Sequence, residues 1–225
     1  MGGVFLRRRH KPKAEVINDL SRDVSTLYRV LQRHYEALMD MLKWQVTSRD
    51  EFARLVAVDA DTLTDLERAV RFLYLQRCAF GGKVHGRNFG VSARDHRPGR
   101  FDVVTLAREL RDIHERLAGV IVERLPWADL IARYDTPETL FYLDPPYHGC
   151  EGDYGPGMFG PEQFELMAEA LARLRGRFIL SLNDTPEVRA WFAGFHQEPV
   201  GTHYGVAGTG MQAARELIIS GTGPG

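Results

Sequence analysis

Leu140-Phe141-Tyr142-Leu143-Asp144-Pro145-Pro146-Tyr147 is the stretch on which the reading of this chain turns. Four apolar residues in a row predict a short buried strand, and the two prolines end it because neither can donate to a sheet ladder. Asp144 then stands at the carboxyl end of a strand, where open α/β sheets hold their ligands. The prolines fix φ and remove two N–H donors, which leaves rigid carbonyls able to accept from a ligand. With an anionic acceptor at Asp144 and the flat face of Tyr147, the set suits a planar ligand carrying an exocyclic amine. The same four residues are also ordinary turn chemistry, and the motif alone leaves both readings open.

Working outward, Phe164, Met167, Leu171 and Leu174 mark one face of a helix, and Phe178–Leu182 reads as the next strand. Asn183 or Asp184 is then expected to cap a helix with Pro186 in its first turn. From Gly201 to Ile219 the pattern predicts two strands around a glycine-rich connection. Upstream, Val120-Ile121-Val122 and Ala14–Asp19 are short strand candidates. Ser21 can cap a helix whose buried face is Val24, Leu27, Tyr28, Leu31, Tyr35, Leu38 and Leu42. A strand leading straight into an amphipathic helix is the βα unit of a parallel sheet.

Between residues 47 and 117 the rhythm changes. A helix begins near Thr64, a glycine-rich run follows over Phe80–Gly90, and a second helix spans Thr105–Leu117. The expected architecture is therefore α/β and doubly wound, with residues 1–45 and 119–225 as one domain and 46–118 as a mainly helical insert.

The chain has 225 residues and a net charge of −1, so its overall field argues neither for nor against a polyanionic partner. Charge distribution is more telling. Between Arg77 and Arg100 lie Arg77, Lys83, Arg87, Arg94, Arg97 and Arg100 against the single acid Asp95, a local charge of +5. Neutralisation of phosphates is the main affinity term in nonspecific DNA binding, and Arg87 and Asn88 have side chains suited to purine edges in the major groove. A solvated charged loop is the plainer reading.

Cys78 and Cys150 lack metal or redox spacing, and the eight histidines are scattered, so reduced thiols and no metal are expected. No apolar run approaches the ~20 residues of a membrane span. Arg7-Arg8-Arg9-His10-Lys11 is followed by no apolar segment, so no signal peptide is read. A cytoplasmic monomer is the expectation.

Four stretches together resemble the Dam-like, or D12, class of adenine-N6 DNA methyltransferases, most closely its phage-type members. Gly2-Gly3-Val4-Phe5-Leu6 is similar to the end of the family's glycine motif, and Asn18-Asp19 to its acidic strand end. Leu140–Tyr147 is similar to its catalytic motif, and Phe178–Val188 to the strand and helix that follow. The resemblance implies a Rossmann-like sheet dependent on S-adenosylmethionine, with a helical target-recognition insert and double-stranded DNA as partner. It implies Asp144, Pro145, Pro146 and Tyr147 as catalytic residues. Gly2, Gly3, Asn18, Asp19, Trp127 and Asp144 would meet the cofactor, and Arg77, Lys83, Arg87, Asn88, Arg94 and Arg97 the DNA. Roles in restriction–modification or in a phage fit the same class.

Several alternatives stay open at this level. Related methylases of cytosine N4, guanine N2 or protein glutamine use similar motifs. Asp19 is also placed to cap the helix after Ser21, Gly2 and Gly3 also read as a loose terminus, and Trp127 also reads as a core residue. Where the family has an acid before its aromatic this chain has Pro126, with Asp129 a weak substitute. The chain begins inside the glycine motif, without its aromatic and first glycine. A start codon lying further upstream is expected, and the rival reading is a catalytically silent, DNA-binding relic.

Overall fold

The computed structural model describes residues 2–8, 10–79, 89–90, 101–150, 159–206 and 210–222, with backbone alone for 202–206 and 210–214. The chain is mixed α/β and divides into two compact units, Met1–Leu125 and Pro126–Gly225.

In the first unit a short helix α1 (Gly3–Arg7) precedes strand β1 (Val16–Asn18), which pairs in parallel with β2 (Ile121–Glu123), Ile17 opposite Val122. Between them run α2 (Arg22–Arg33), α3 (Tyr35–Leu42), α4 (Arg49–Ala57), α5 (Asp65–Cys78) and α6 (Val103–Arg116). Ser48 caps α4, Thr64 and Glu67 form a capping box on α5, and Asp102 caps α6, so one otherwise free N–H in the first turn of each of the three helices finds an acceptor. Leu27, Leu31, Leu38, Leu42, Phe72, Tyr74 and Leu106 share one core with β1.

Two expectations change here. The single stripe from Val24 to Leu42 is two helices broken at His34 (φ −132°, ψ 34°), although both halves keep their apolar face inward. Ser21 occupies the cap position of α2 but its side chain bonds nothing there; its N–H donates instead to Asp19 Oδ1 at 2.9 Å.

The second unit opens with α7 (Trp127–Tyr134), then β3 (Leu140–Leu143), α8 (Glu162–Ala172), β4 (Arg177–Asn183), α9 (Pro186–Trp191), β5 (His196–Val206) and β6 (Gly210–Thr222). The strand order is β3-β4-β6-β5. β3 and β4 are parallel and joined by the α8 crossover, whereas β6 runs antiparallel between β4 and β5. Phe141, Leu143, Phe164, Leu171, Phe178, Leu180, Leu182, Val188, Leu217 and Ile219 form the core. Each such side chain contributes roughly 1.5–3 kcal/mol by leaving water.

β3 is not buried on both faces, as its apolar run suggested. Phe141 and Leu143 point inward, while Leu140 (48%) and Tyr142 (42%) are exposed, the alternation of a strand covered on one face. The cap of α9 is Thr185, whose hydroxyl accepts from Val188 N–H, rather than Asn183 or Asp184. Pro186 takes the first helical position, so the residue before it is the one geometrically able to cap. Asp184 pairs with Arg189 instead.

Candidate active site

Asp144 leaves β3 beside Ser181 of β4, one step beyond the paired Leu143 and Leu180. The Ser181 hydroxyl donates to Asp144 Oδ1 at 2.9 Å. Ser181 is buried, and its Oγ also lies 3.2 Å from the Tyr142 hydroxyl. Since the one serine proton goes to the carboxylate, Tyr142 must be the donor of that second bond. The result is a chain from Tyr142 through Ser181 to Asp144. It turns the exposed carboxylate so that Oδ2 accepts from no described residue.

Pro145 and Pro146 are half-buried, and neither carbonyl accepts a backbone N–H among the described residues. The Tyr147 hydroxyl donates to Glu216 Oε1 of β6 at 2.6 Å. The chain then turns: Cys150 N–H bonds Tyr147 O at 2.9 Å, with Gly149 at φ 83° in the left-handed position that such a turn gives to glycine. His148 is pinned by Asn183, whose side chain accepts from His148 N–H and donates to His148 O, both at 2.9 Å. The imidazole stands edge-on to Trp191 (5.1 Å) and Phe164 (5.9 Å). Cys150 is exposed.

The first unit holds the other predicted residues. At the end of β1, Asn18 grips the backbone of Leu125, donating to its carbonyl at 3.0 Å and accepting from its N–H at 2.8 Å. Asn18 thus has a structural task whatever else it touches. Asp19 is half-buried, and loss of water pushes its carboxyl above the usual range, opposed by the Ser21 N–H bond.

Close by, the Tyr28 hydroxyl is buried without a hydrogen-bond partner among the described residues, and burial with the Asp19 charge pushes it up to about 12. Gly2 sits at φ 59°, and a Cβ there would lie 2.8 Å from Tyr28 Oη and 3.2 Å from Ile17 Cδ1. Only glycine allows that approach. Gly3 opens α1 with nothing near its Cβ position. A carboxylate and an orphaned hydroxyl beside a bare backbone form a donor–acceptor set fit for a polyhydroxylated, amine-bearing ligand such as S-adenosylmethionine.

Trp127 is half-buried at the first position of α7, packs against the second core, and donates its indole N–H to Gln163 Oε1 at 2.9 Å. Its ring edge is therefore engaged, and Asp129 nearby is exposed. Of the predicted DNA contacts, Arg77 is exposed and paired with Glu109. Lys83, Arg87, Asn88, Arg94 and Arg97 lie outside the described residues. Phe89, between Asn88 and Arg94, packs on Phe52 and under Arg49, and Phe101, just past the segment, packs on Tyr74.

Ser181, Asn183, Glu216 and Tyr28 escaped the sequence reading. A usable signal existed for three of them, polar side chains interrupting apolar strands near their ends, but nothing marked Tyr28 apart from the rest of its helix face. Among the described residues no group of three His, Cys, Asp or Glu is placed to hold a metal ion, and no helix is long and apolar enough to cross a membrane.

Comparison with known proteins agrees with the motif. Residues 2–206 match the family model described as the D12 class N6 adenine-specific DNA methyltransferase. A curated relative, the Type II methyltransferase M.CviBI of Paramecium bursaria Chlorella virus NC1A, is 20% identical over 183 residues, covering 80% of this chain and 69% of the viral protein.

Proposed function

The chain belongs to the D12 class of N6 adenine-specific DNA methyltransferases, and on that premise we propose that it methylates N6 of adenines flipped out of duplex DNA, with S-adenosylmethionine as donor. The observation that carries the proposal is Asp144, an exposed carboxylate at the end of β3 with one oxygen held by Ser181 and the other bonded to no described residue.

In this reading Asp144 Oδ2 and the Pro145 carbonyl accept the two N6 hydrogens. That orients the amine and stabilises positive charge as it develops on nitrogen. Tyr147 supplies the stacking face; flipping costs a few kcal/mol, and stacking on an aromatic returns ~1–3 kcal/mol per base. Asp19, Tyr28 and the backbone at Gly2 and Gly3 would hold the cofactor. When bound, S-adenosylmethionine supplies an electrophilic methyl group on a positively charged sulfur. No covalent link to the enzyme is needed.

The parallel pairings β1–β2 and β3–β4, the latter through a helical crossover, support a Rossmann-like architecture. The helices within 46–118 and the +5 segment between Arg77 and Arg100 support a DNA-recognition role for that stretch.

Replacing Asp144 tests the reading. Asp144→Ala is expected to lower methyl transfer at least about a thousandfold, since it removes both orientation and charge stabilisation. DNA affinity in a gel-shift titration should stay within about threefold, because phosphate contacts dominate binding. Parallel loss of both would refute the assignment of Asp144 to chemistry.

A further inference from the structure

We infer that Glu216 is a positioning residue for Tyr147, and that Glu216 and Asn183 together hold that ring as a preformed platform for the target base. The inference deepens the proposed function and rests on it.

The geometry is a matter of strand register. Asn183 and Glu216 are direct partners in the antiparallel β4–β6 pair. Asn183 grips the backbone of His148 through both ends of its amide, and Glu216 takes the Tyr147 hydroxyl at 2.6 Å. Two paired residues therefore fix Tyr147 at its two ends, the backbone just beyond it and the tip of its side chain.

The segment must cross the sheet to do this. It leaves β3, is tied to β4 at Asp144 and His148, and reaches β6 through Tyr147. Neighbouring strands lie about 4.8 Å apart, and across that span Asn183 and Glu216 add two fixed points to the packing of the ring against the second core. A stacking face held before the base arrives loses no rotamer freedom on binding, and the base is placed where Asp144 can meet its amine. The tyrosine–carboxylate bond is charge-assisted and short, which suits a fixed rather than a sampled contact.

The test is a double-mutant cycle with E216A, Y147F and E216A/Y147F, and E216Q as the conservative variant. Methyl transfer from tritiated S-adenosylmethionine to unmethylated bacterial genomic DNA is measured alongside urea unfolding. E216A and Y147F are each expected to lower kcat on the order of tenfold, with KM for S-adenosylmethionine within about twofold. The double variant should lose clearly less than the product of the two single losses, because both changes remove the same Tyr147–Glu216 bond. E216Q keeps an acceptor oxygen and should recover to within about threefold of wild type.

The unfolding free energies should be non-additive in the same sense. A further tenfold loss from E216A in the Y147F background, or additive stability effects, would overturn the positioning role. A wild-type protein that transfers no methyl group to DNA would instead overturn the proposed function.

Discussion

At the scale of single residues, Tyr28 is the most exacting. A buried hydroxyl without a partner is destabilising by about 1–3 kcal/mol, and folded proteins leave few such groups. Tyr28 is 5% exposed, its hydroxyl unpartnered among the described residues, beside Asp19 and the backbone of Gly2. If that hydroxyl waits for the cofactor, Tyr28→Phe should stabilise the free protein by about 1 kcal/mol and weaken S-adenosylmethionine binding on the order of tenfold by calorimetry. Lower stability with unchanged affinity would assign Tyr28 to packing alone. The positions of Asp144 and Asp19 just past β3 and β1 were legible in the sequence, because a charge that closes an apolar strand is conspicuous. Tyr28 was not, because a tyrosine on a buried helix face looks like any other core residue until the surroundings of its hydroxyl are known.

At the scale of elements, a buried ion pair ties α6 to the start of β1 in the first unit. Arg116 at the end of α6 forks onto Glu15, just before β1, with bonds of 2.7 Å to each oxygen, and its guanidinium lies 4.1 Å over the Phe5 ring of α1. The Arg116 bonds hold the Glu15 carboxyl below its ordinary value of 4.5, with Arg8 adding to the effect and burial opposing it. A carboxyl lowered on folding stabilises the protein above its unfolded pKa and loses that contribution as the pH falls through the folded value. Glu15→Gln should therefore destabilise by on the order of 3 kcal/mol at pH 7, and the gap to wild type should narrow steadily below about pH 4.5 in urea unfolding. A gap constant down to pH 3 would remove Glu15 from the account. Most elements could be read beforehand: α5, α6 and β4 follow their periodicity closely, and two final strands were expected from Gly201 to Ile219, although β5 already begins at His196 and β6 runs to Thr222. The break at His34, the cap at Thr185 and the one-sided burial of β3 could not. Each depends on which neighbours cover a face, and that is a property of packing rather than of local pattern. The grip of Ser181, Asn183 and Glu216 on the motif was hidden for the same reason, since it requires the register of three strands at once.

At the scale of the whole molecule, a net charge of −1 says little, while a +5 segment and a strand-end Asp-Pro-Pro-Tyr motif say a good deal. Both belong to a chain whose family membership extends over residues 2–206. The α/β class and the family were legible because short apolar strands, amphipathic helices and the Asp-Pro-Pro-Tyr strand end are local patterns. The division into Met1–Leu125 and Pro126–Gly225 was not, because the contacts that define compactness are long-range. The central claim is the transfer of a methyl group to adenine N6, and nucleoside mass spectrometry tests it most directly. DNA is isolated from methylation-free bacteria expressing the wild-type chain or Asp144→Ala, digested to nucleosides and quantified. N6-methyladenine is expected in the wild-type sample and none above background in the variant. N4-methylcytosine in its place, or no modified base from a well-expressed and folded wild type, would contradict it.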